Sequence, residues 1–140
     1  MRFAHPFAAA LAVLIAMMLG ACAAPGAGGT TSLNETRWQF TRIDGAAPVA
    51  PAASLEFHRD RLGANVGCNG MGGPWRIEQG RLIAGPLIST QMWCEGKMDQ
   101  ERAVSALLAA APEVTFNADR LTLAAGGHSA ELVRFTPPQN

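Results

Sequence analysis

The chain has 140 residues, which suits one small domain with an exported leader, and its 11 basic and 11 acidic side chains balance. Removing Arg2 with the leader leaves a net charge of −1, so no strong field would attract nucleic acid. About 108 residues remain from Leu33 onward, and a domain of that size gains stability from a covalent cross-link.

The first 21 residues have the pattern of an export signal. Arg2 and His5 supply a short basic start, and an apolar run of 13 residues follows from Phe7 to Leu19. That run has the length of a signal-peptide core and is too short to span a bilayer comfortably. We therefore interpret residues 1–21 as a cleaved leader.

The leader ends in Leu-Gly-Ala-Cys at residues 19–22, which resembles the lipobox of bacterial lipoproteins. The resemblance implies that Cys22 is lipidated and becomes the mature N-terminus, which anchors the chain to a membrane. Ala23 follows instead of the aspartate typical of inner-membrane retention, so delivery to the outer membrane is favoured. The alternative is an ordinary secretory signal cut after Ala21 or Ala24, with Cys22 unmodified.

The rest of the chain divides into a tether, a domain and a tail. Residues 22–32 are rich in alanine and glycine, with no bulky side chain in Ala23 to Ser32, and predict a flexible tether. Residues 33–136 form the predicted domain, and residues 137–140 form a C-terminal tail that begins with two prolines.

Alternation of apolar and polar side chains predicts the strands of the first half of the domain. Trp38 and Phe40, for example, share one face of the first strand. A turn signal at Gln79-Gly80 separates two of the strands. The predicted strands cover residues 37–43, 54–58, 61–66, 74–78 and 81–84, and residues 87–92 are predicted to be extended.

One helix is predicted from Asp99, because apolar residues then recur at spacings of three and four up to Ala111. Asp99 is expected to cap the first turn, Glu101 suits the positive end of the helix dipole, and Pro112 ends the helix. Strands follow at residues 113–116, 121–123 and 130–135. The fold class is therefore mainly β with one α-helix, α+β, as a small antiparallel barrel or strongly curved sheet against which the helix packs.

The run Gly67–Gly73 holds four glycines around Cys68 and Asn69, and it predicts a loop with backbone conformations that side chains disfavour. No Lys-Ser or Lys-Thr pair follows the glycines and no helix starts there, so a phosphate-binding loop is excluded. Asn69 is expected to satisfy backbone groups in a tight turn. The next cysteine is Cys94, which closes the block Ser89–Cys94.

Three blocks in this order resemble the META domain family of HslJ-like heat-shock lipoproteins. They are residues 33–38, the Gly-Cys-Asn-Gly block at 67–70, and the Ser-Thr-Gln-Met-Trp-Cys block at 89–94 followed by Gln100-Glu101. The resemblance covers Leu33 to about Phe135. It implies a barrel-like fold with one helix, and an envelope protein linked in some bacteria to heat shock or novobiocin tolerance, without known catalysis. Met71 stands where members often carry an aromatic residue, and we expect Trp75 to supply the missing bulk.

Cys68 and Cys94 are expected to form a disulfide, since export implies an oxidising compartment and lipidation of Cys22 leaves an even number of cysteines. The family resemblance agrees with this pairing. Two free buried thiols remain the plain alternative. A zinc site would need His58 and His128 as further ligands, and a thiol enzyme would need one of them as the base for Cys68.

We predict no catalytic residue, metal or cofactor. The expected protein is a non-catalytic monomer that is held to the membrane by its lipid and faces the periplasm from the outer membrane. It is expected to act in envelope stress, envelope integrity or antibiotic tolerance by binding another envelope component, such as a second envelope protein. The alternatives are a small apolar ligand in the barrel mouth and, less favoured, the thiol enzyme. Trp38, Trp75 and Trp93 are assigned to the core, although Trp93 also belongs to the predicted contact surface. That surface comprises Gly67, Asn69, Gly70, Thr90, Met92 and Trp93.

Overall fold

The structure, a computed structural model, describes residues 32–136. The predicted leader at 1–21, the lipid site Cys22, the tether up to residue 31 and the tail at 137–140 lie outside the described residues. Within the described part, no helix is long and apolar enough to cross a membrane.

Residues 32–136 form nine strands and one helix, joined mostly by short turns. The bounds are β1 Thr36–Ile43, β2 Ser54–Phe57, β3 Arg61–Asn65, β4 Gly70–Glu78, β5 Arg81–Ala84, β6 Ile88–Ser89, α1 Met98–Ala109, β7 Glu113–Phe116, β8 Arg120–Ala125 and β9 His128–Arg134.

Eight of these strands close into an antiparallel barrel in the order β1-β2-β3-β4-β5-β7-β8-β9, and β9 returns to β1. The join between β5 and β7 is the shortest, with Arg81 opposite Glu113. Two flanking hydrogen bonds support that join, from the Leu82 N–H to Pro112 O and from the Val114 N–H to Gly80 O, both at 2.9 Å. The two-residue strand β6 adds to β4 beside the ring. The predicted fold class is confirmed.

The inward faces of the strands fill the barrel with apolar side chains, because every second residue of a strand points to the same side. Trp38 and Phe57 are fully buried, and the Trp38 indole N–H donates to Thr36 Oγ1 at 2.8 Å. The other large side chains that are almost wholly buried are Ile43, Leu55, Leu62, Val66, Leu82, Leu107, Leu108, Leu121, Leu123 and Leu132.

The two ends of the barrel differ. The chain enters at Ser32, and the turns at 58–60, 79–80 and 117–119 lie at the same end, which we call the open end. The opposite end carries Cys68 and Cys94, and we call it the disulfide end. Helix α1 contacts β1 and β5, which are opposite each other in the ring, and also β8 and β9, so it lies across the disulfide end.

The glycine run is not the loop that the sequence predicted. Only Gly67 has a positive φ, +115°, whereas Gly70, Gly72 and Gly73 belong to β4. A Cβ atom on Gly72 would come 2.8 Å from Leu62 O, and one on Gly73 would come 2.5 Å from Pro86 O. Glycine is therefore needed here mainly because neighbouring backbones approach closely.

The helix also begins differently from the prediction. Its N-cap is Lys97, which makes no side-chain capping bond, and Asp99 instead pairs with Arg102 one turn on. The apolar face is as predicted, and Val104, Leu107 and Leu108 are buried. The helix has already ended at Ala109, before Pro112.

Met71 and Trp75 lie on the inward face of β4. Met71 is buried in the core. Trp75 is half-buried nearer the open end, where its ring meets the edge of Phe57 at a centroid distance of 4.8 Å. The Trp75 indole N–H donates to His58 O at 2.7 Å. Trp75 thus packs against the core from the open end.

Candidate functional site

The connection from β3 to β4 brings Cys68 and Asn69 to the disulfide end. The Gly67 N–H donates to Asn65 Oδ1 at 2.8 Å, which forms a local turn, and the Val66 side chain is fully buried. A Cβ atom on Gly67 would lie 2.4 Å from Ala50 Cβ, so both the turn and the packing require glycine there.

The segment after β6, residues 90–94, runs beside this connection and is fastened to it covalently. Cys68 and Cys94 form a disulfide with their Cα atoms 5.9 Å apart, as predicted. The Thr90 N–H donates to Gly70 O at 3.1 Å. We call residues 88–94 the strap, because they cross the start of β4 with little regular structure of their own.

Asn69 holds the strap through its side chain. Its Oδ1 accepts from Thr90 Oγ1 at 2.9 Å and from the Met92 N–H at 2.7 Å. Its Nδ2 donates to Met92 O at 2.9 Å and to Glu101 Oε1 at 2.6 Å. These four hydrogen bonds use every donor and acceptor position of the side-chain amide, which is only 2% exposed.

Glu101 projects from the first turns of α1 and is only 7% exposed. Both of its oxygens accept from Asn69, with Oε2 receiving the main-chain N–H at 2.8 Å. Across residues 32–136, no ion pair includes Glu101, so its charge is balanced by these donors and by the positive end of the helix dipole. The Asn69–Glu101 pair thus joins β4, the strap and the helix.

The strap is exposed on its outer side although it is fixed underneath. The Met92 side chain is 60% exposed and that of Trp93 is 74% exposed. The assignment of Trp93 to the core was therefore wrong, whereas that of Trp38 was right. Trp93 is exposed because the disulfide and Asn69 fix the segment on either side of it without covering its ring.

A groove of about 330 Å³ lies against the strap. Its walls are formed by strap residues from Ser89 to Trp93 and by Met98, with Asn69 and Glu101 at its base. A smaller depression of about 120 Å³ shares Trp93 and Met98 with this groove and is also lined by Asp99 and Arg102. The indole thus borders both hollows, and the surface combines one aromatic and two methionine side chains with neutral polar groups and the charged groups of Glu101, Asp99 and Arg102.

One carboxylate at the disulfide end has a shifted pKa. Asp44, which follows β1, accepts the Ser129 N–H at 2.9 Å, and its other oxygen lies 2.8 Å from His128 Nδ1. The backbone bond from Ser129, then the hydrogen bond and charge of His128, lower the pKa of Asp44 despite a small opposing effect of burial.

The remaining candidate residues for chemistry are not brought together. Both sulfurs of the proposed thiol site are in the disulfide. His58 lies at the open end between Glu35 and Glu56, at 3.8 and 3.6 Å, and His128 pairs with Asp44. Among residues 32–136, no three His, Cys, Asp or Glu side chains are grouped to hold a metal ion.

A family model described as the META domain matches residues 31–138. The chain belongs to the META domain family. Two solved structures are similar to this chain in fold. One is an NMR structure of a protein with 20% identity, which covers 71% of this chain and 89% of that one at a TM-score of 0.62. The other is an NMR structure of a protein from Burkholderia xenovorans. The Burkholderia xenovorans protein is 23% identical, and the match covers 74% of this chain and 84% of that chain at a TM-score of 0.61. No curated protein matches the chain.

The structure brings together Asn69, Thr90, Met92 and Trp93 of the predicted surface. The contact of Glu101 with them was not predicted from the sequence, because that residue was noted only in the family block and as a favourable charge near the helix start. The available signal was its position on the helix, because Glu101 lies three residues before Val104 and so shares the apolar face. A carboxylate at such a position needs a buried donor, and Asn69 supplies it.

Proposed function

We propose that this META domain is a non-catalytic, lipid-anchored component of the bacterial cell envelope that binds another envelope protein through Met92 and Trp93. In this proposal Cys22 carries the lipid in the outer membrane and the domain faces the periplasm. The lipobox-like sequence at residues 19–22 supports the anchor. The contact between the domain and its partner would support the envelope under stress.

The observation that carries the contact surface is an exposed tryptophan on a segment held in place. Tryptophan is the residue type most enriched among those that dominate protein–protein binding energies. A side chain on a fixed backbone loses less conformational entropy on binding than one on a mobile loop. Trp93 meets both conditions, because Asn69 and the Cys68–Cys94 disulfide fix its neighbours.

The experiment is photo-crosslinking in intact cells with a photoreactive amino acid at position 93 of the full chain. We expect a discrete crosslinked species to a second envelope protein. The matched control carries the same probe at Val49, an exposed apolar residue outside the strap. A crosslink from position 49 alone, or none from position 93, would refute the proposed surface.

A second variant separates binding from folding. Since most of the Trp93 side chain is in solvent, Trp93→Ala should leave the unfolding midpoint in urea almost unchanged. In co-purification from membranes, the same variant should recover much less of the crosslinked partner. If Trp93→Ala lowers the stability instead, the ring has a structural role and the proposal fails.

The second candidate role is the binding of a small ligand at the open end of the barrel. There a cavity of about 420 Å³ is lined in part by Trp75, Ile77 and Phe116. The interior itself is filled, because side chains such as Leu55 and Leu123 are inaccessible to a water-sized probe and pack closely against their neighbours. A lipid or other apolar compound that protects Trp75 from quenching in solution would favour this second role.

A further inference from the structure

We infer that the open end of the barrel rests on the surface of the bilayer, with the disulfide end directed away from it. The lining of the open-end cavity carries this inference, together with the point at which the chain enters the domain. It rests on the lipid anchor of the proposed function and adds the orientation of the domain on the membrane. That orientation decides which partners the surface around Met92 and Trp93, here called the Trp93 surface, can reach.

The chain outside the structure ends at this cavity. Ser32, the first described residue, and Leu33 both line it. Ser32 lies ten positions after Cys22, and the flexible tether that the sequence predicts would have a root-mean-square span of about 17 Å over that length. A lipid on Cys22 therefore keeps the open end close to the bilayer at a high effective concentration.

The cavity has the chemistry of a membrane interface. Trp75 and Ile77 lie on the inward face of β4. Because they are near the end of that strand, at the open end of the barrel, both side chains line the cavity. Ile77 is 43% exposed. Aromatic rings and aliphatic side chains of this kind enter the boundary between headgroups and acyl chains.

Two arginines stand at the same cavity and suit anionic phospholipid headgroups. Arg59 takes part in none of the ion pairs found among residues 32–136, and Arg76 is held by Glu78 at 2.8 Å. Asp60 and Glu78 lie beside them in sequence, so the charge attraction is small and the apolar contact carries most of the docking. Such a weak contact suits a domain that is already tethered.

Strand β4 sets the distance between the two surfaces. Ile88 of the strap is paired with Gly72, and Ile77 lies five residues further along β4, roughly 17 Å away. The Trp93 surface follows Ile88 at the disulfide end. When the open end contacts lipid, the strap therefore points into the periplasm, where a soluble or membrane-bound partner can reach it.

The test uses the mature lipidated chain in vesicles of phosphatidylethanolamine and phosphatidylglycerol with brominated acyl chains, which quench tryptophan on contact. In Trp93→Phe the reporting residue is Trp75, and in Trp75→Phe it is Trp93, while the fully buried Trp38 is common to both. We expect quenching at least about twofold greater in Trp93→Phe, because indoles at the interface contact the acyl chains.

Two further variants guard against a folding effect. In the Trp93→Phe background, Ile77→Asp should lower the quenching of Trp75 at least about twofold by placing a charge in the interface. Ile88→Asp, on a more exposed isoleucine at the other end, should leave it unchanged. Equal effects of the two variants would overturn the inference.

Flotation of the vesicles separates the two proposals. A chain that fails to float lacks the lipid anchor, and both proposals then fail. A chain that floats with no quenching of Trp75, or with stronger quenching of Trp93, overturns the orientation alone. A crosslinked dimer with Trp75 unquenched would also overturn it, since a second copy would then cover the open end.

Discussion

Asn69 is the side chain on which the disulfide end depends, since it bonds to the strap and the helix from the start of β4. A buried polar network of this kind stabilises a structure only when each member has its partner. Both the amide of Asn69 and the carboxylate of Glu101 meet that condition. The arrangement is therefore specific for an amide at position 69.

The first prediction concerns Asn69→Asp, which keeps the shape and removes two donors. The new oxygen would face Glu101 Oε1 and Met92 O, which lie 2.6 and 2.9 Å from Nδ2. Two buried carboxylates in contact repel, so we expect a loss of about 3 kcal/mol or more in urea unfolding at pH 7.

The double variant Asn69→Asp with Glu101→Gln provides the control. A glutamine at 101 brings an amide that can donate to the new aspartate, so the pair should recover part of the loss. If the double variant is as unstable as the sum of the two single variants, Asn69 and Glu101 do not interact as described.

A second prediction concerns the dependence of stability on pH at Asp44. The pKa of Asp44 is lowered by folding, chiefly through the backbone N–H of Ser129 and then His128. A lowered pKa contributes stability that is fully present above the unfolded value of about 4 and is lost as the pH falls through the folded value. We expect Asp44→Asn to cost less than about 1 kcal/mol at pH 7, because the pair is partly exposed.

The measurement is the difference in unfolding free energy between the wild type and Asp44→Asn at pH 7 and near pH 2. Asparagine tolerates the positive φ of 49° at this position, so the backbone adds no strain of its own. The difference should shrink at the lower pH. A difference that is independent of pH would show that the charge of Asp44 contributes nothing.

Strand β4 shows why glycines can belong to a strand. Gly73 lies under Pro86, so Gly73→Ala should force the backbones apart and cost about 1–3 kcal/mol. Gly63, in the neighbouring strand β3, has no positive φ, and a Cβ atom added there would meet nothing within 4 Å. Gly63→Ala is the matched control and should be neutral or slightly stabilising in the same urea experiment.

The strap depends on its covalent link as well as on Asn69. The disulfide joins residues 26 apart, and the loop-entropy relation gives a contribution of about 3.5 kcal/mol. We expect the double variant Cys68→Ala with Cys94→Ala to lose stability of that order and to protect the strap amides less in hydrogen exchange. An unchanged exchange rate would mean that Asn69 alone holds the strap.

These elements also show what the sequence could predict. Alternation of large and polar residues identified β1 and β2 because Trp38, Phe40, Leu55 and Phe57 mark one face. The same test fails in residues 70–73 of β4, where three glycines leave the alternation without side chains to reveal it. Asp99 was predicted to cap the helix because residue preferences at helix starts do not account for Arg102, which pairs with the Asp99 carboxylate. Glu101 required a partner 32 residues away, which no local pattern can show.

Residues 32–136 together form a barrel with a filled interior and two unlike ends. The order of short strands and one late helix was sufficient to predict this class of fold. The closing pairs, β5 with β7 and β9 with β1, depend on contacts distant in sequence, and so does the position of the helix across one end. We propose that the open end contacts the membrane and that the disulfide end contacts the partner. This arrangement depends on those long-range contacts.

The most direct test of the account is the intact mass of the mature protein purified from membranes, measured before and after reduction. We predict a chain that starts at Cys22, carries the added mass of its acyl groups, and gains the mass of two hydrogen atoms on reduction. A chain that starts elsewhere, an unmodified Cys22, or an unreduced protein whose Cys68 and Cys94 react with a thiol reagent would contradict it.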